Sequence, residues 1–190
     1  QPGWAEQSPE MWWLHVKEAI LKVNATKLYE PKDIGAIGIA YQMHGLVLVD
    51  KNQQVLRDSI IWCDSRAVSI GDEAFRKIGE EKCLSTLLNS PGNFTASKLA
   101  WVKAHEPAVY EKIDKVLLPG DFIAMKFSGE TGTTISALSE GIFWDFARNE
   151  LSTGVFNYFG FNTAIIPTIK NVFETHGVLK YDVATELSLK

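Results

Sequence analysis

Ile37-Gly38-Ile39-Ala40-Tyr41-Gln42-Met43-His44-Gly45-Leu46-Val47-Leu48-Val49-Asp50 consists of two apolar runs divided by a polar break. Short runs rich in β-branched residues read as strands, so the stretch predicts one strand ending near Tyr41 and a second over 46–49. Gly38 is expected to let another element approach the first strand closely, and Gly45 to take backbone angles that a Cβ resists. The break then presents an amide, a thioether and an imidazole from Gln42, Met43 and His44. Strand ends of this kind are where open α/β sheets keep their ligands.

Working outward, Asp50 to Gln54 is a polar turn and Val55 to Ile61 a second arm, which together predict a hairpin. Its far end, Ile60-Ile61-Trp62-Cys63-Asp64-Ser65-Arg66, is again an apolar run meeting polar groups. Upstream, Pro31 pushes Glu30 out of the helical region and marks a turn. Before it, Ser8 suits an N-cap, Pro9 the first helical position and Glu10 the positive end of the helix dipole. Trp12, Trp13, Val16, Ala19, Ile20 and Val23 then recur at helical spacing out to about Asn24, predicting a stripe that faces the core. Adjacent tryptophans on such a stripe read as packing, with an aromatic sugar platform as the alternative. Pro2-Gly3-Trp4 reads as a linker, and the start at Gln1 suggests an excised piece.

Downstream, Val68 to Leu88 is helical in pattern, Asn89-Ser90-Pro91-Gly92 breaks it, and a helix restarts near Thr95 and ends by Pro107. Val116 to Leu118 predicts a strand stopped by Pro119-Gly120, with Asp121 at its end and a helix over 122–127. Thr133 to Ser139 reads as a hydroxyl-rich extended segment, Phe143 to Arg148 as an aromatic cluster, and the last forty residues as short helices and loops.

With 190 residues, 46% hydrophobic and 22% charged, the chain is globular, with room for one good core. A net charge of -4 without a Lys/Arg cluster argues against nucleic acid or an anionic membrane surface as the main partner. No apolar run reaches the roughly 18 residues of a spanning helix, and no signal-peptide pattern opens the chain; a cytoplasmic location is expected. Cys63 and Cys83 form no C-x-x-C pair, so reduced, partly buried thiols are expected rather than zinc ligands or a disulfide framework. No phosphate-cradling, nucleophile-elbow or zinc-protease motif occurs.

Four places therefore bring polar groups to the ends of apolar elements: Gln42-Met43-His44, Asp64-Ser65-Arg66, Asn93, and Asp121 with Thr133-Thr134. Several donors and acceptors on a rigid scaffold suit a polyol. His44 either binds a substrate hydroxyl through a neutral ring or is satisfied by backbone at a strand end. Met43 on spacing alone is core filler. Asp64 and Arg66, two apart, read as an ion pair that locks a loop; Asn93 as a turn or cap; Asp121 as a turn or cap, with general base as the alternative.

Gln42-Met43-His44-Gly45, Leu48-Val49-Asp50, Ile60-Ile61-Trp62-Cys63-Asp64-Ser65-Arg66 and Phe94-Thr95-Ala96-Ser97-Lys98-Leu99-Ala100-Trp101-Val102 closely resemble the FGGY carbohydrate kinases, in particular their xylulokinase branch. Gly3-Trp4-Ala5-Glu6-Gln7, His105-Glu106-Pro107, Ile113 to Pro119 and Phe143-Trp144-Asp145 add to the likeness, which is strong over 1–152 and weak over 153–190. Glycerol kinases carry Arg-Glu where this chain has Met43-His44. The resemblance implies an α/β fold of the ribonuclease H-like, actin-like ATPase class, with ATP between two domains and the sugar deep in the first. This chain would be most of that first domain, lacking its first strands, and an exposed sheet edge would follow, with either self-association, such as a homodimer, or a need for the parent protein in order to fold. Met43 and His44 would contact the sugar, Asn93 would hold a third sugar-facing position, and Asp64 with Arg66 would support the site wall. The implied reaction is transfer of the ATP γ-phosphate to D-xylulose, giving D-xylulose 5-phosphate, with Mg2+. Alternatives are another sugar or polyol (ribulose, gluconate, glycerol), or a non-catalytic actin-like binding module. The Asp-x-Gly-Thr phosphate loop and the general-base aspartate would lie outside this chain, so no catalytic residue is assigned within it, and the isolated chain is expected to be inactive.

Overall fold

The first helix begins where its local signal places it. The computed structural model describes residues 1–190; after β1 (Glu6–Gln7), helix α1 runs Pro9–Asn24 with Ser8 extended before it. The Ser8 side chain makes no capping bond, so the start rests on Pro9 and Glu10. The stripe of α1 is shallower than its periodicity predicts. Trp13 is 8% exposed and packs edge-on against Phe127 at 4.9 Å, whereas Val23 is 52% exposed. Trp12 is half-buried and its indole N–H donates to Gln7 Oε1 at 2.8 Å, so both tryptophans serve packing.

The predicted strand over 37–41 does not form. A strand exists only through its ladder, and no strand pairs with this segment, in which Ile37 is exposed. Gly38 has open space where a Cβ would stand, so no close approach requires it. The second run does form a strand, β2 (Val47–Val49), and the hairpin follows. Leu46 bridges Ile60, Val49 bridges Val55, and β3 (Ser59–Ile60) pairs with β1. Asp50 closes the turn: its Oδ1 accepts from the N–H groups of Asn52 and Gln54 at 2.8 and 2.9 Å.

Val68 to Leu88 is two helices, α2 (Val68–Ile78) and α3 (Glu80–Thr86), parted at Gly79, whose φ of 107° no helix contains. Then come α4 (Thr95–His105), α5 (Pro107–Tyr110), β4 (Lys115–Leu117) and α6 (Pro119–Ser128), so that of the two readings of Asp121, turn or cap, the cap holds: it lies in the first turn of α6. The segment expected to be extended after Thr133 is only partly so. Following β5 (Gly132–Thr134), the Thr134 hydroxyl accepts from the Ala137 N–H at 3.1 Å and starts α7 (Ile135–Glu140). The chain finishes with β6 (Trp144–Asp145), β7 (Glu150–Leu151), α8 (Thr153–Phe159), β8 (Thr168–Lys170) and α9 (Tyr181–Glu186). Of the expected aromatic cluster, Phe143 and Trp144 are buried and Phe146 is exposed.

The sheet comes in two-stranded pieces: β2 antiparallel to β4 with Leu48 opposite Val116, β5 parallel to β8, and β6 antiparallel to β7. The β2–β4 ribbon is buried on both faces, and its period-2 alternation sorts two cores. Leu46, Leu48 and Val116 face the larger, with Leu99 and Val102 of α4, Phe143 and Phe156. Val47, Val49 and Leu117 face the smaller, with Phe122 and Met125 of α6 and Trp13 of α1. This layering of helix, ribbon and helix carries Met43-His44 to the entrance of β2. No helix is long and apolar enough to cross a membrane.

The depth difference along α1 has a measurable consequence. Trp13→Ala is expected to cost about 3–5 kcal/mol, the usual range for a buried tryptophan, and Val23→Ala less than about 0.5 kcal/mol. Urea unfolding of the two variants decides it; equal losses would contradict the burial described here.

Candidate functional site

Residues 42–45 form a turn at the mouth of β2, and it is His44, with φ 60°, that takes the left-handed conformation expected of Gly45. Gly45 is needed for a different reason: a Cβ there would come within 2.5 Å of Cγ of Pro119 at the start of α6. The peptide around His44 is held from both sides. Its N–H donates to Glu140 Oε1 at the end of α7, and its carbonyl accepts from Lys98 Nζ of α4 at 2.7 Å. The imidazole stands edge-on to Phe94 at 4.4 Å. His44 Nδ1 lies 3.2 Å from Glu140 Oε1 but out of line, so that buried nitrogen has no aligned hydrogen bond.

Asp64 and Arg66 pair, as their spacing predicts. The guanidinium donates to the carboxylate through Nε at 2.9 Å and Nη2 at 2.7 Å, and both side chains are shut off from solvent. Arg66 also reaches Glu6 Oε1 at 2.7 Å and lies over the rings of Trp4 and Trp101, at 3.9 and 4.8 Å from their centroids. Burial would raise the Asp64 carboxyl. Hydrogen bonds from Arg66 and from the N–H groups of Ala5 and Arg66, together with the Arg66 charge, outweigh it and hold Asp64 below the usual carboxylate value. Pro2-Gly3-Trp4 is thus docked rather than a linker: the Gly3 carbonyl also accepts from the Ser65 N–H at 2.8 Å.

Asn93, at the turn before α4, donates its amide to the Asp64 carbonyl, which leaves its buried Oδ1 without a partner. The His44 ring thus stands against Phe94, the residue next to Asn93, and Met43, next to His44 in the chain, is 54% exposed, too open to be core filler. Gln42 turns aside to Gln7 Oε1 at 3.3 Å. Cys63 is exposed rather than partly buried, while Cys83 is buried and free.

Asp121 belongs to the fold more than to the corner. Its Oδ2 accepts from the Leu118 N–H at 3.2 Å, closing the first turn of α6, and from the Thr133 hydroxyl at 2.9 Å. Burial pushes its pKa up to about 7, against those two hydrogen bonds and with the Glu140 charge adding to the rise. Lys98 moves the opposite way, to about 8, because burial disfavours the ammonium more than Asp64, Cys63 and Glu140 favour it.

Two residues of this corner escaped the sequence reading. Lys98 carries a readable signal, a lone cation in the otherwise small and apolar run Ala96 to Val102. Glu140 carries none, because its segment reads as extended. For Mg2+, no three His, Cys, Asp or Glu side chains come together as ligands, and the buried carboxylates of Asp64 and Asp121 are taken up by protein donors. The residues of this chain do not fit a magnesium site, and neither Mg2+ nor ATP is assigned to any of them.

The sequence pattern of the FGGY family of carbohydrate kinases, N-terminal domain, matches residues 1–190. A xylulose kinase of Klebsiella pneumoniae is 34% identical over 183 residues, covering 96% of this chain and 37% of that protein. Among solved structures, a xylulose kinase from Brucella ovis superposes with a TM-score of 0.89 at 31% identity, over 100% of this chain and 39% of its own. One from Rhodospirillum rubrum reaches 0.90 at 26%, over 100% and 40%. The chain thus spans about two fifths of the length of these relatives, and its fold is the α/β, ribonuclease H-like, actin-like one that the resemblance implied.

A raised Asp121 pKa makes stability fall with rising pH. The folded state holds this proton more tightly than the unfolded chain, so the contribution is fully present below about pH 4 and is lost as pH climbs through about 7. Wild type should lose on the order of 3–4 kcal/mol across that window. Asp121→Asn, which keeps an acceptor for Leu118, should not. Urea midpoints at pH 4.5 and 7.5 test this, and an equal slope in both proteins would contradict it.

Proposed function

Since the chain belongs to the FGGY family of carbohydrate kinases through its N-terminal domain, we propose that it is the sugar-binding part of a longer kinase. That kinase transfers the γ-phosphate of ATP to a terminal hydroxyl of D-xylulose, giving D-xylulose 5-phosphate and ADP. In this reading Met43, His44 and Asn93 hold the sugar, while the base that takes the hydroxyl proton, the nucleotide site and its Mg2+ lie outside these 190 residues. Phosphoryl transfer depends on positioning and on neutralising the charge of the transferred group. This chain contributes the first of these for the acceptor.

One observation carries the reading: His44 and Asn93 share a corner at which Asn93 Oδ1 is buried with no partner in the chain. A buried acceptor left unpaired is costly, and a sugar hydroxyl supplies the missing donor. D-xylulose is favoured over glycerol because Met43-His44 is the pair expected of the xylulokinase branch, and xylulose kinases reach 33–34% identity over 96% of the chain where a glycerol kinase with the same coverage reaches 28%.

The full-length protein carrying this chain should release ADP from ATP and Mg2+ with D-xylulose, and far less with ribulose, gluconate or glycerol. His44→Ala should lower kcat/KM for D-xylulose by roughly 10²-fold, the scale of losing a positioning contact. Turnover of another sugar in the panel instead would replace the substrate, and turnover of none would remove the kinase reading.

A further inference from the structure

His44 adopts a conformation that a residue with a Cβ rarely holds unless its surroundings impose it. Two long-range contacts supply that imposition. Glu140, 96 residues away, takes the His44 N–H, and Lys98, 54 residues away, takes the His44 carbonyl. The two arrive on different helices, α7 and α4, so the turn is gripped between elements rather than stiffened from within.

Lys98 is the less expected of the pair. It is wholly buried, beside Leu99 and Ala96 in the larger core, where an aliphatic side chain of equal length would fill the space without the cost of a desolvated amine. Its one hydrogen-bond acceptor is the His44 carbonyl. Packing explains its stem, and the turn takes the one hydrogen bond of its amine, with the Asp64 and Glu140 charges nearby.

We propose that Lys98 and Glu140 are positioning residues of the sugar corner, gripping the two peptide groups of His44 so that its ring faces the acceptor sugar. The grip itself is independent of ligand identity; the sugar as its object rests on the function proposed above. The Glu140 carboxylate also stands 3.2 Å from Nδ1 of the ring.

The test uses the full-length protein with Lys98→Met, Glu140→Ala and Glu140→Gln, reading hydrogen exchange at the His44 amide alongside kcat and both KM values. In Lys98→Met and Glu140→Ala the amide should exchange at least about tenfold faster, and the KM for D-xylulose should rise roughly tenfold to a hundredfold, with the KM for ATP unchanged. Glu140→Gln, which keeps an oxygen for the His44 N–H, should restore amide protection and most of the sugar affinity. Wild-type exchange in both disruptive variants would overturn the proposal. So would fast exchange with an unchanged sugar KM, or an equal rise in the ATP KM. If Lys98→Met does not fold, the Glu140 pair decides alone. If wild type phosphorylates none of the panel, the proposed function fails while exchange at His44 still decides whether the grip exists.

Discussion

The buried pair of Asp64 and Arg66 is the contact on which the corner depends. A single carboxylate accepts from the Ala5 N–H, the Arg66 N–H and the Arg66 guanidinium, and the Asp64 carbonyl holds the amide of Asn93. Arg66 in turn reaches Glu6 and lies over Trp4 and Trp101. The N-terminal segment, the end of the hairpin, the turn before α4 and α4 itself are thus joined at two residues. A buried ion pair is weak evidence for stability, since desolvation offsets much of the attraction. Its value here is geometric: satisfied on every side, it admits one arrangement of four chain segments.

From that anchor the corner is assembled by a division of labour between the two faces of one ribbon. Leu46 and Leu48 commit β2 to the core that contains α4, while Val47 and Val49 commit it to the core that contains α6. The turn that leads into β2 must then pass between α4 and α6, with Pro119 close against Gly45 and Lys98 beneath the His44 carbonyl. What reaches the surface is a short list: the Met43 side chain, the His44 ring and the neighbourhood of Asn93. Hydrophobic layering sets the position, and the buried Lys98 and half-buried Glu140 hold the two sides of the turn.

Features governed by adjacent residues were legible in the sequence. The start of α1 follows from Pro9-Glu10, the hairpin turn from Asp50, and the Asp64–Arg66 pair from its spacing of two. Features that need a distant partner were not. Ile37 to Tyr41 has the composition of a strand and no ladder to join, and the stripe on α1 has the period of a core face with only Trp13 deeply covered. Thr133 to Ser139 looked extended because its hydroxyls suit a strand, yet Thr134 spends its oxygen on a helix start, and that error concealed Glu140. Met43, His44 and Asn93 were singled out by the family resemblance; on spacing alone each had a plain structural reading. The left-handed geometry at His44 rather than at Gly45 was beyond any local signal, because α4 and α7 impose it from afar.

The most direct test of this account is methyl NMR of the full-length protein labelled at methionine, titrated with D-xylulose. This chain offers three methionines in distinct settings: Met43 at the corner, Met11 exposed on α1 and Met125 on the buried face of α6. A sugar held beside His44 should give a saturable shift of the Met43 methyl, with Met11 and Met125 unmoved. A saturable response elsewhere in the protein with Met43 unmoved would contradict the placing of the sugar beside His44.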